Sequence, residues 1–82
     1  MYLARVYVTL KPSVNDPQGS TIQGGLKMLG FGSVVEVRMG KFLEVQIEEA
    51  GQAAAEARVD EMCRRLLANP VIEDYRFEVT PL

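Results

Sequence analysis

Apolar and polar residues alternate over Tyr2 to Lys11. Ala4, Val6, Val8 and Leu10 fall on one side; Leu3, Arg5, Tyr7, Thr9 and Lys11 fall on the other. Such a period of two, rich in β-branched residues, predicts a half-buried strand, and Pro12 ends it because proline has no ladder donor. Asp16-Pro17 then reads as a helix start, with the Asp16 carboxylate as cap and Pro17 at the first helical position. Ile22, Leu26 and Leu29 recur at helical spacing, and Gly30 is placed to close the C-terminus. Gly24-Gly25 cost such a helix about 1 kcal/mol each relative to alanine. A close approach by a neighbouring backbone would explain them.

Two further alternating runs, Ser33 to Met39 and Phe42 to Glu48, predict a hairpin with Gly40-Lys41 as its turn. From about Gln52 to Ala68 the spacing returns to helix. Ala55, Val59, Met62, Cys63, Leu66 and Leu67 form its stripe, and Glu61 is set to pair with Arg64 and Arg65. Asn69-Pro70 stops it, and a last strand over about Ile72 to Val79 puts Tyr75, Phe77 and Val79 on one face. The order is β-α-β-β-α-β. It predicts an α+β two-layer sandwich, an antiparallel sheet with two helices on one face, in the split β-α-β or ferredoxin-like arrangement. No linker or repeat divides residues 1–82, so a single domain is expected. The last strand pairs either within this chain or with another.

If the aliphatic face lies under the helices, the opposite face carries Leu3, Arg5, Tyr7, Thr9, Val34, Glu36, Arg38, Phe42, Glu44, Arg76 and Glu78. Tyrosine and arginine are enriched at protein interfaces, and an antiparallel sheet tolerates one open face. Tyr7 and Phe42 are the expected anchors there; the plainer alternative is a solvated sheet with isolated apolar side chains.

Composition removes most enzyme chemistry. With no histidine and one cysteine in 82 residues, the chain lacks Ser–His–Asp and Cys–His catalysis, histidine-containing or cysteine-only zinc sites, and internal disulfides. Nine Lys+Arg against eleven Asp+Glu leave a net charge of −2, with no basic face of the kind nucleic-acid binding uses. No apolar run reaches the roughly 20 residues of a membrane span, and Met1 leads into a strand pattern rather than a leader, so a cytoplasmic location is expected. A chain this short buries only roughly 60% of its unfolded surface, which makes partners an expectation.

Local motifs add little catalytic promise. Gly40-Lys41 lacks the long glycine loop, the following Ser/Thr and the helix of a phosphate loop. Gly30-Phe31-Gly32 follows a helix and precedes a strand, the reverse of a dinucleotide fingerprint. Glu48-Glu49 and Asp60-Glu61 are adjacent, which does not converge their carboxylates. Cys63 lies on the apolar stripe with no base beside it. Asp16-Pro17-Gln18-Gly19 opens a helix, whose first N–H groups suit an anion or a partner.

Together the motifs carry a resemblance. Val6-x-Val8-x-Leu10-Lys11-Pro12-x-Val14-x-Asp16-Pro17-Gln18-Gly19, Leu29-Gly30-Phe31, Val37-Arg38-x-Gly40-Lys41 and Leu67-Ala68-Asn69-Pro70-Val71-Ile72-Glu73-Asp74-Tyr75 resemble the PurS family across nearly the whole chain. PurS is the small subunit of phosphoribosylformylglycinamidine (FGAM) synthase in purine biosynthesis. The resemblance implies a homodimer or dimer of dimers that joins a glutaminase subunit to a large synthetase subunit. The complex turns formylglycinamide ribonucleotide (FGAR), glutamine and ATP into FGAM, glutamate, ADP and phosphate. It implies no catalytic residue and no cofactor in this chain, with ATP and magnesium held by the large partner. Asp16, Pro17, Gln18 and Gly19 match one family motif and Arg38, Gly40 and Lys41 another, so these are the expected interface contacts, beside Tyr7 and Phe42.

Two other classes share the element order. An ACT-like regulatory module would bind a small ligand at a glycine-containing loop before the first helix, where this chain has Pro12 and Asp16-Pro17. A small acylphosphatase-like enzyme needs an arginine after the first strand; Asn15 is there, the arginine is not.

Overall fold

The computed structural model describes residues 1–82. Strand β1 (Tyr2–Leu10) lies at the centre of an antiparallel three-stranded sheet, between β2 (Gly40–Ile47) and β3 (Glu73–Pro81), in the order β2-β1-β3. Helix α1 (Pro17–Met28) joins β1 to β2, and α2 (Gln52–Met62) joins β2 to β3. Val6 faces Leu43 on one side and Phe77 on the other, so the predicted aliphatic face is continuous across the sheet. The last strand pairs within the chain.

The core is narrow. Ala4, Val6 and Val8 of β1 lie under Val59, Cys63 and Ala68, with Tyr75, Phe77 and Val79 half-buried around them. Helix α2 continues from Cys63 to Leu67 as a π-helical turn, with the Ala68 amide donating to the Cys63 carbonyl at 3.0 Å. This extra residue in the turn rotates the predicted stripe: Cys63 stays buried while Leu66 is 83% exposed. Of the expected ion pairs, Glu61–Arg65 forms at 3.0 Å, whereas Arg64 turns to Asp60 at 2.9 Å.

The α+β class and the antiparallel sheet match the expectation; the hairpin does not. Residues 34–39 belong to no strand, and Gly40-Lys41 is the beginning of β2 rather than a turn. Physically, the Met39 amide donates to the Asp16 carboxylate at 2.6 Å, so the returning chain is bound at the root of α1 and runs straight into β2. The second helix of the expected layer is also displaced, because α1 makes almost no contact with the sheet or with α2. Residues 17–39 therefore form an arm. The Cα radius of gyration is 16.2 Å, against about 12 Å for a compact chain of this length. The long axis measures 51 Å; strands of about 30 Å and a helix of about 18 Å reach it only if set roughly end to end.

Candidate subunit interface

The two sequence motifs meet at the root of the arm. Asp16 caps α1 by accepting from the Gly19 amide at 2.9 Å, and its second oxygen takes the Met39 amide. Arg38 spans the gap from the other side, donating to the Lys11 carbonyl at 2.9 Å and the Val14 carbonyl at 2.8 Å. Gly19 is packed so closely that a Cβ there would collide with the Val37 carbonyl oxygen. These bonds tie residues 11–19 to residues 37–39 in what amounts to a clasp. The Gly19 and Met39 amides, and then the Arg38 charge, hold the Asp16 carboxyl below its ordinary value, although burial opposes them.

Of the nine expected contact residues, Asp16, Gly19 and Arg38 thus have partners inside the chain. Pro17 and Gln18 stay exposed at the entrance of α1. Gly40 is needed for close approach, since a Cβ would stand 2.5 Å from the Val8 carbonyl oxygen. Lys41 reaches Glu73 at 3.8 Å and the Leu67 carbonyl at 3.4 Å with its side chain still more than half exposed.

On the open face of the sheet, Tyr7 and Phe42 stand opposite each other with ring centroids 5.1 Å apart. The Arg76 guanidinium lies 3.9 Å from the centre of the Tyr7 ring, on the side away from Phe42's strand. Edge-tilted rings and a cation over a ring are favourable contacts. The open face is therefore ordered by its own side chains, yet Phe42 remains 54% exposed. The alternation of β3 places Arg76 on this face, and only the strand pairing sets it beside Tyr7.

A third surface escaped sequence reasoning. Between α2 and β2 lies a groove of about 410 Å³, floored by Val45, Met62, Leu66 and Leu67 and rimmed by Arg58 and Arg65. The sequence places Leu66 and Leu67 together on the apolar stripe of α2, and the π-helical turn that leaves Leu66 exposed in the groove has no signal there.

The remaining polar groups are structural. Tyr75 donates to Asp60 at 2.6 Å. That bond, ahead of the one from Arg64, holds the Asp60 carboxyl below its usual value and pushes the Tyr75 hydroxyl up. Burial pushes the Cys63 thiol up, and the Asp60 charge adds to it, so this sulfur stays a thiol.

What the fold and these surfaces define is a small, open-faced α+β chain with a narrow core and several large apolar side chains exposed. The PurS family, described as phosphoribosylformylglycinamidine (FGAM) synthase, matches residues 3–81. The PurS subunit of that synthase from Synechocystis is 51% identical over 99% of this chain and 81% of its own length. The PurS crystal structure from Bacillus subtilis superposes with a TM-score of 0.88 at 49% identity, covering 99% of this chain and all of that one. A chain of the PurLQS structure from Thermotoga maritima superposes at 0.86 with 28% identity, over 98% of this chain and 99% of its own. This chain belongs to the PurS family, a subunit of FGAM synthase in purine biosynthesis.

Proposed function

We propose that this chain is the non-catalytic bridge of its FGAM synthase, seating a glutaminase subunit against a large synthetase subunit so that ammonia passes between them. The observation that carries the reading is the distribution of surface: ordered aromatic and apolar side chains lie outside, while the single thiol is buried with its pKa raised. A rigid sheet suits such a role, because two active sites in register need a support that does not flex. Closing the path against water matters, since ammonia released into solvent is protonated and lost. The PurLQS structure is named for three subunits of which its PurS is one, and that arrangement supports the same role here. Asp16 and Arg38 would act by setting the shape of the bridge, while Pro17, Gln18, Lys41 and Phe42 are the exposed residues available to partners. ATP and magnesium belong, in this reading, to the large subunit, and the complex works in the cytoplasm.

The ACT-like alternative loses its site, because the loop before α1 is filled by the Asp16 and Arg38 bonds. The deciding experiment mixes the large and glutaminase subunits with and without this chain and follows FGAM. Formation from glutamine is expected to require it, while formation from added ammonium salt is expected to proceed without it. Equal glutamine-dependent rates in both mixtures would remove the bridge.

A further inference from the structure

Residues 17–39 leave the sheet and return to it through one narrow crossing. Helix α1 makes almost no contact with the sheet or with α2, so packing on the rest of the chain does not fix its direction. Residues 35–38, which bring the chain back, make no backbone–backbone hydrogen bond. What holds the arm is a short ladder between the outgoing helix and the returning segment. At its root, Asp16 accepts from the Gly19 amide at 2.9 Å and the Met39 amide at 2.6 Å. Further out, the backbone of Gly19 lies against the Val37 carbonyl, where a Cβ would collide. Beyond that, the Gln23 side-chain amide donates to the Val35 carbonyl at 3.1 Å. These three rungs make the arm a single body.

Arg38 fastens that body to the sheet. One of its terminal nitrogens donates to the Lys11 carbonyl at 2.9 Å and to the Val14 carbonyl at 2.8 Å. The Lys11 carbonyl also accepts the Val14 amide at 2.9 Å, which closes the turn between β1 and α1. Lys11 is anchored in its turn, because its amide donates to the Ile72 carbonyl at 2.9 Å and its ammonium to Asp74 at 2.8 Å. Hydrogen bonds from a guanidinium are roughly twice as strong as neutral ones. Arg38 is thus held towards residues 11–14 and its neighbour Met39 towards Asp16. Two adjacent residues bound at different points resist a swivel that a single bond would permit.

The length of the arm magnifies any loss of that restraint. A helix of 12 residues is about 18 Å long, so a swing of about 5° at the root moves its far end by about 1.6 Å. That is comparable to the roughly 1.4 Å radius of a water molecule.

We propose that Arg38 is a positioning residue for ammonia transfer. It fixes the angle between the arm and the sheet, and through that angle the fit of the two subunits this chain joins. The inference rests on the bridging role proposed above and adds the residue on which the fit depends. Arg38 acts through the backbone at Lys11 and Val14 rather than on a reacting atom. With the angle loosened, ammonia released from glutamine escapes into water and is protonated, so glutamate forms without FGAM. Ammonium salt supplied from solution bypasses the path and is indifferent to the angle.

The test uses the complete three-subunit complex, assembled with the natural chain or with a variant. Glutamate and FGAM are measured side by side, and FGAM formation from ammonium salt is followed separately. The natural chain is expected to give the two products in step. R38Q is expected to join the complex by sedimentation, to keep its sheet signal in far-UV circular dichroism and to leave the ammonium-driven rate unchanged. It is expected to release about twofold or more glutamate per FGAM, as an open path predicts. R38K retains a cation with donors for both carbonyls and is expected to recover part of the coupling. Gly19→Ala strains the same root without altering Arg38 and is expected to leak as well, which keeps the test available if R38Q does not fold. Glutamate and FGAM still in step with an assembled R38Q complex would overturn the proposal. So would a folded R38Q that fails to join the complex, since Arg38 would then be a contact. If the natural chain can be omitted without loss of glutamine-dependent FGAM, the bridging role itself falls; if the chain is required and R38Q stays in step, only the role of Arg38 falls.

Discussion

Replacing Val59 by alanine separates the core of the single chain from the surface it shares. Val59 is fully buried, packed on Val6 and Val8 beneath α2. Truncation removes two methyl-sized groups, worth about 1.6 kcal/mol in transfer free energy. Incomplete collapse of the space left adds roughly 1 kcal/mol at about 24 cal/mol per Å³. The expected loss is about 2–3 kcal/mol, a large part of the roughly 4–12 kcal/mol that a chain of this length can hold. In a small domain each kcal/mol moves the midpoint by about 4–8 °C, so Tm falls by roughly 10–20 °C. Leu66→Ala is the comparison, since Leu66 is 83% exposed in the single chain and such substitutions usually stay within about 0.5 kcal/mol. Urea unfolding at two protein concentrations a hundredfold apart reads both. Val59→Ala is expected to lower stability by a similar amount at both, whereas Leu66→Ala is expected to act only where the chain self-associates. A Val59→Ala loss below about 1 kcal/mol would refute the assignment of the core.

Three further outcomes follow from particular contacts. Gly40→Ala brings a Cβ to 2.5 Å from the Val8 carbonyl oxygen in the middle of the sheet; overpacking of this kind costs about 1–3 kcal/mol, measured by urea denaturation. Gly24→Ala meets nothing within 4 Å in the chain, so helix propensity favours it by about 1 kcal/mol and dilute monomer is expected to melt at a higher temperature. Asp16 has a folded pKa below its ordinary value of 3.8, so its contribution is fully present above 3.8 and is lost as pH falls through the lower folded value. The charged groups around it are Arg38, Lys41 and Glu73; the Asp16→Asn variant is expected to show a shallower acid loss of stability than the natural chain in an acid titration followed by circular dichroism.

How far the sequence reveals this fold differs from element to element. The alternation in β1 and β3 was sufficient to assign the buried face, because a strand's period of two leaves only two choices and the valines settle which. The cap of α1 was equally plain: Asp16, Pro17 and Gly30 each sit where helix-terminus chemistry puts them, and Gly30 has the positive φ of 99° that such a terminus uses. Residues 33–39 were not legible in the same way. Their alternation reports one apolar side, and a period alone does not say whether the segment finds a strand to pair with. The interface residues divided for a related reason. Asp16 and Arg38 have the character of contact residues, a carboxylate and a guanidinium near a helix entrance, and only the fold shows their partners to be amides and carbonyls of this same chain, three of the four more than 20 residues away.

The glycine at position 40 shows where a sequence rule gave way to packing. A two-residue hairpin of the tight kind needs positive φ in its turn, which is why glycine marks such turns. Here the only glycine with positive φ is Gly30, so Gly40 does not serve as that kind of turn residue. It is glycine because β1 passes alongside: the Val8 carbonyl oxygen occupies the space of the missing Cβ. The same residue type thus answers two different demands, a reversed backbone or a close neighbour, and only the first makes a hairpin. With Met39 bound to Asp16, the chain runs straight from the clasp into β2, and residues 34–39 join no strand of the sheet. The open edge of β2 and the exposed helix α1 are consequences of that one straight passage. A chain built in this way leaves a sheet edge and its first helix uncovered, which suits a subunit of a larger assembly.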